Sequence, residues 1–271
     1  MVWLGVIPRA ERRMQILTKI VAEGELRLLL AEVGAISGHV ENLYKQQGKL
    51  TQSMCDELSP YWRGADGLYA VMAIGDAEGN SVCTVNESIV ETLPTMNDRQ
   101  YYQDAKNAQS LVVGEYAVSK TTGKPVLHLA YPLVNTQGKF EGLFMMGLDL
   151  NWFVSRELSQ LLSGSRVVLT VVDDQGKTLF TYPGDEEDIG DNALSGELIS
   201  MILSGEGTPQ LVRGYDSKYR VYAYQWVEEA GTKLAVVSGV VMSDYLQLLM
   251  IGVVFGGLVG WGVEYALRHK Q

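Results

Sequence analysis

The chain has 271 residues, with 32 acidic and 22 basic side chains and a formal charge of -10 at pH 7. That length allows one or two domains with a real core, and the acidic balance is the wrong sign for a phosphate backbone, which argues against a nucleic-acid partner. Only 20% of the residues are charged and the mean hydropathy is +0.02, so either the core is unusually rich or a membrane segment is included.

Residues 1–7 are apolar but too short to span a bilayer, and Arg9, Arg12 and Arg13 follow at once. This stub reads as the end of a membrane helix whose beginning is missing; the order of segments is not that of a cleaved signal peptide. Residues 8–50 follow as one long amphipathic helix, because Leu17, Val21, Leu28, Ala31, Ala35, Val40 and Leu43 mostly fall three, four or seven apart. Its length predicts packing along the whole body or against the same helix of a second subunit. A shorter helix is expected after Thr51, stopping near Pro60.

The pattern then changes to short apolar runs separated by turns. Strands are predicted at 68–74, 81–85, 111–119, 125–134 and 141–150, a connecting helix at 151–162, and a second strand set at 166–172, 177–182, 210–213, 219–226 and 233–241, with a helix at 194–203. Asp-x-x-Gly turns at Asp76 and Asp173 each separate two apolar runs, which suggests two related α+β modules in tandem. The expected limits are 51–162 for the first module with its connecting helix and 163–244 for the second.

Residues 245–267 close the chain as a predicted transmembrane helix. The stretch from Tyr245 to Val263 has no charged residue, and at about 1.5 Å per residue it reaches roughly 28 Å, close to a hydrocarbon core. The basic tail 268–271, with Arg268, His269 and Lys270, marks the cytoplasmic side. The body then lies outside the cytoplasm, in the periplasm if the cell has one, anchored to the inner membrane. Gly252, Gly256 and Gly260 recur every four residues and form a candidate dimer seam. Cys55 and Cys83 are the only cysteines, and outside the cytoplasm they favour a disulfide; the alternative is two buried free thiols.

No catalytic constellation is visible. The histidines are His39, His128 and His269, with no spacing for a metal site or a triad, and His128 reads as a packed strand residue. There is no phosphate-cradling loop or nucleophile elbow, and the acidic run Asp185 to Asp188 lacks calcium-loop spacing and reads as a solvated loop. Neither an enzyme nor a cofactor is expected.

The segments Asp98 to Tyr102, Val113 to Tyr116, Thr122 to Pro125, Leu129 to Pro132 and Gly142 to Leu150, followed by Val171 to Pro183, resemble in order and spacing the double-Cache extracytoplasmic sensor domains of bacterial histidine kinases, diguanylate cyclases and chemoreceptors. The resemblance runs from the long helix to the membrane helix. It implies two PAS-like modules with antiparallel sheets, an α+β fold, and a small molecule bound in the membrane-distal module. It also implies that Arg99 and Tyr101 form part of the pocket; a guanidinium holds a carboxylate by two parallel hydrogen bonds while an aromatic face covers the rest. The amino-acid-binding branch places a Tyr and an Asp on the next strand, where this chain has Ala117 and Ser119, and a later Asp near Gly147, where Asp149 lies two residues on. These departures argue against a standard amino-acid sensor and leave a carboxylate or another small polar ligand.

Tyr102, Tyr116 and Lys120 are further candidates for the pocket rim. Each has a plain alternative: a core aromatic for the two tyrosines, a solvated turn residue for Lys120, and for Arg99 an ion pair with Asp98 or Asp104. The expected function is the small-molecule sensor region of a homodimeric transmembrane receptor that passes its signal through the membrane helix to an output partner. After Lys270 only Gln271 remains, which keeps open a membrane-anchored binding or scaffold protein, or a gene remnant, with no output of its own.

Overall fold

The computed structural model describes residues 3–85, 95–158, 167–183, 194–205, 210–214 and 217–242. The proposed membrane helix, the basic tail and the Gly252, Gly256 and Gly260 seam lie outside the described residues, as does the acidic run. Among the described residues no helix is long and apolar enough to cross a membrane.

Helix α1 (Trp3–Ile20) continues through a π-helical turn at Val21–Leu26 into α2 (Arg27–Gln47). Gly48 ends it in the left-handed conformation at φ 67°, its N–H donating to the Tyr44 carbonyl, a role glycine fills without Cβ strain. The buried stripe runs through Met14, Val21, Leu26, Leu29, Leu30, Val33, Ile36, Val40 and Tyr44. It differs from the predicted one: Leu28 is 68% exposed, and Ala31 and Ala35 also face solvent. Regular spacing carried through the π-helical turn at Val21–Leu26 puts the stripe out of phase, because wider turns rotate later side chains around the axis.

Helix α3 (Gln52–Gly64) runs past Pro60 instead of stopping there. Pro60 is exposed while Met54, Cys55 and Leu58 are buried, so the carbonyl that loses its N–H partner is left on the side water can reach. Cys55 is joined to Cys83, with Cα atoms 6.0 Å apart.

Two five-stranded antiparallel sheets follow. The first holds β1 (Tyr69–Asp76), β2 (Ser81–Thr84), β3 (Val112–Val118), β4 (Pro125–Val134) and β5 (Phe140–Asp149), in the order β2-β1-β5-β4-β3. The second holds β6 (Val167–Asp173), β7 (Thr178–Tyr182), β8 (Gln210–Arg213), β9 (Tyr219–Glu229) and β10 (Thr232–Val241), in the order β7-β6-β10-β9-β8. The two orders are the same once the strands of each module are counted from its start. The shared turn explains part of this repeat. Asp76 Oδ1 accepts the N–H groups of Glu78 and Asn80, Asp173 Oδ1 accepts those of Gln175 and Lys177, and Gly79 and Gly176 both sit at φ 86°. The acid fixes the turn and the glycine supplies the conformation an L side chain resists.

One face of each sheet packs against the long helix in a continuous core that contains Met14, Val33, Leu129, Met146, Val221 and Val236. The outer face of the second sheet is covered by the helix Gly196–Ser204 through Leu198, Met201 and Ile202. The outer face of the first sheet is covered by α4 (Gln100–Ala105), whose Tyr101, Tyr102 and Ala105 meet Val71, Ala73, Ala130 and Met145. Period-two alternation in β4 therefore sends Leu127 and Leu129 to the long helix, and His128 and Ala130 to α4.

Candidate functional site

Arg99 is the last extended residue before α4, at φ −93° and ψ 139°. This places its side chain at the helix mouth while the next turn buries both tyrosines. Tyr101 lies flat on His128, ring centroids 4.5 Å apart and planes inclined by 21°. Gly114 makes room for this: a Cβ there would stand 3.0 Å from the Tyr101 Cβ and 3.3 Å from the His128 carbonyl oxygen. β3 is also irregular between Val113 and Tyr116, so the strand bends where the ring approaches.

Between α4 and the sheet is a small cavity of about 30 Å³, room for about two or three water-sized atoms. Val71 and Met145 line its sheet side, Met96, Arg99 and Tyr101 its helix side, and Ser119 to Thr121 of the β3–β4 turn its rim, with His128 on the wall. Tyr101 and His128 are each only 6% exposed. Neither the Tyr101 hydroxyl nor the His128 imidazole makes a hydrogen bond to any of the described residues, and the Arg99 guanidinium forms no hydrogen bond or close ion pair to them, although its charge reaches the neighbouring Asp98. Polar groups of two buried rings and one half-buried guanidinium thus open onto the same cavity, where a ligand can satisfy them.

The neighbouring charges are already spoken for. Lys120 Nζ donates to Asp98 Oδ2 at 2.6 Å, and this contact holds the Asp98 carboxyl below the usual carboxylate range. Asp104 accepts from Gln100 at 2.7 Å. Burial pushes the Tyr101 phenol well up, although Arg99 pulls the other way. Burial first, and then the Arg99 charge, lowers His128 to about 4; the imidazole is neutral near pH 7. The site thus presents a guanidinium charge and two neutral polar groups, with no carboxylate among its described lining residues.

Arg99, Tyr101, Ser119 and Lys120 come together here. Ser119 Oγ accepts from the N–H groups of Thr121 and Thr122 and shapes the rim turn. Tyr102, Tyr116 and Asp149 do not line the cavity. The Tyr102 hydroxyl donates to the Ala77 carbonyl at 2.7 Å, its ring edge meets Phe140 and Lys106 lies over it, so it fastens α4 to the β1–β2 turn. Tyr116 packs against the core on the long-helix side of the sheet, because the irregularity in β3 turns it away from Tyr101. Asp149 caps the short helix Leu150–Phe153 through the Trp152 N–H at 3.0 Å and pairs with Lys124 at 2.6 Å. His128 is the site residue that sequence reasoning passed over. The alternation of β4 carried the signal, since Leu127 and Leu129 claim the opposite face.

Residues 10–249 match the family model described as the Cache domain; the chain belongs to that family, in its double form. Among solved structures, an extracellular domain assigned to histidine kinase rpHK1S-Z16 superposes with a TM-score of 0.69 at 17% identity, covering 89% of this chain and 98% of that one. The periplasmic sensory domain of the Campylobacter jejuni chemoreceptor Tlp1 gives 0.69 at 11%, over 89% and 98%. The ligand-binding domain of the Pseudomonas aeruginosa PAO1 amino-acid chemoreceptor PctB, in complex with L-Arg, gives 0.63 at 17%, over 90% and 92%. No curated protein sequence matches the chain.

Proposed function

We propose that this chain is the extracytoplasmic sensing region of a bacterial membrane receptor, with a small carboxylate-bearing ligand held in the cavity between α4 and the first sheet. The observation that carries this reading is Arg99: its guanidinium stands at a cavity beside the buried Tyr101 ring and makes no hydrogen bond or close ion pair with the described residues. A bidentate carboxylate would satisfy the guanidinium, and the Tyr101 hydroxyl would add a hydrogen bond. Relatives support a ligand of this kind, since PctB was solved with L-Arg and Mlp24 with asparagine.

In this reading the second module relays the change, and residues 245–267 carry it across the membrane of a homodimer whose seam is Gly252, Gly256 and Gly260. A ligand moves such a relay only by binding two states unequally. A thermal-shift screen of formate, acetate, propionate and the common amino acids tests the site: at least one raises the unfolding temperature, and Arg99→Ala removes the rise. Stabilisation that survives in Arg99→Ala would refute the assignment. Cysteine crosslinking along 245–267 tests the seam, with equal yields on all faces counting against it.

A further inference from the structure

The His128 side chain takes no part in holding the fold together by hydrogen bonding: the residue is 6% exposed, and its imidazole lies in the cavity wall with no hydrogen bond to the described residues and one ring face covered by Tyr101. Resting on the site proposed above, we infer that His128 is a ligand-contacting residue that takes up a proton when a carboxylate of one to three carbons binds beside Arg99.

Three aspects of the geometry support this. The cavity of about 30 Å³ suits a ligand of a few heavy atoms. The described lining residues offer no carboxylate, and Asp98, next to Arg99 in the chain, is tied to Lys120. No described carboxylate in the cavity is therefore free to pair with a ligand ammonium. Finally, the groups that face His128 set its charge. From the α4 side these are Arg99 and the Tyr101 phenol; from the β3–β4 turn, Lys120, already neutralised by Asp98. Val71 of β1, Gly114 of β3 and Met145 of β5 bring no charge.

Without an anion, burial and the Arg99 cation both disfavour the imidazolium. A bound carboxylate cancels the guanidinium field and supplies an acceptor, and the Tyr101 ring face favours a cation stacked on it. A solvent proton then settles on the free imidazole nitrogen, which becomes a second donor to the ligand. Binding of the anion and of the proton are thus linked and strengthen each other.

Isothermal titration of acetate into the full chain in detergent micelles tests this, in two buffers of different protonation heat at about pH 6 and about pH 8. The expected result is binding about fivefold or more tighter at the lower pH, with net proton uptake there and almost none at the higher. His128→Gln still binds acetate but loses both the uptake and the pH dependence, whereas Arg99→Ala loses binding. NMR titration of the His128 ring in the unaltered chain gives an independent reading, in which saturating acetate moves its midpoint upward.

Acetate bound through Arg99 with equal affinity at both pH values, or an unmoved His128 midpoint, overturns the inference and leaves the site standing. L-Alanine or L-arginine bound through Arg99 where acetate is not bound overturns the ligand class alone. Acetate binding unchanged in Arg99→Ala, or no binding by any of these probes, overturns both.

Discussion

The Ser110 hydroxyl, two residues ahead of β3, donates to the Gly231 carbonyl at the tip of the β9–β10 hairpin, 3.2 Å away. This contact ties the site-bearing module to the strand pair that ends next to the proposed membrane segment. Gly34 of α2 closes the other side, because a Cβ there would stand 2.8 Å from the Ala230 Cβ. Gly34→Val is expected to destabilise the protein by about 1–3 kcal/mol through overpacking. Ala230→Gly in the same chain should recover part of this loss, a coupling that urea titration of the single and double variants measures.

The Cys55–Cys83 bond closes a loop of 28 residues' separation, which pins α3 to the edge strand β2. Loop-closure entropy of that size is worth about 3–4 kcal/mol. Denaturant midpoints with and without reductant, and in a Cys55→Ala/Cys83→Ala variant, should both show a loss of this order while the cavity across the sheet keeps its acetate affinity.

The pH dependence of stability follows from His128, whose folded value of about 4 lies below its ordinary value of 6.5. Between the two the unfolded chain binds more protons, so the His128 contribution is complete above the upper value and is lost as pH falls towards the lower. Melting temperatures of the ligand-free protein should fall across that window, and less so in His128→Gln. Parallel curves for the two proteins would show that other groups cause the fall.

Asp149 separates a structural acid from a ligand-binding one. Asp149→Ala removes the cap on Leu150–Phe153 and the partner of Lys124, and is expected to cost about 1–2 kcal/mol, mostly from the cap because Lys124 is half exposed. Acetate affinity should be unchanged. A tenfold loss of affinity in a folded Asp149→Ala protein would place this acid in the site after all.

Much of the fold was legible because its signals are local. The hairpin turns at Asp76, Asn135 and Asp173 each combine a side-chain acceptor with a later glycine, and the strand limits at 125–134 and 210–213 coincide with the apolar runs. Where reading failed, two interactions competed. Pro60 signalled a stop, but buried Leu58 and the anchored Cys55 hold the helix through it. Tyr102 and Tyr116 look like rim aromatics in the sequence, yet core contacts and the irregularity of β3 turn them away from the cavity.

By itself the sequence determined the two-module order and the antiparallel strands, because periodicity and turn chemistry act over a few residues, while Arg99 and Tyr101 were singled out by the family resemblance. Only the tertiary structure decided that His128 stacks on Tyr101, that Asp149 pairs with Lys124, and that the Arg99 guanidinium has no hydrogen-bond partner among the described residues. Those outcomes depend on which groups 20 or more positions apart are packed face to face, and on how burial and one neighbouring charge set their ionisation; neither is written in the local pattern.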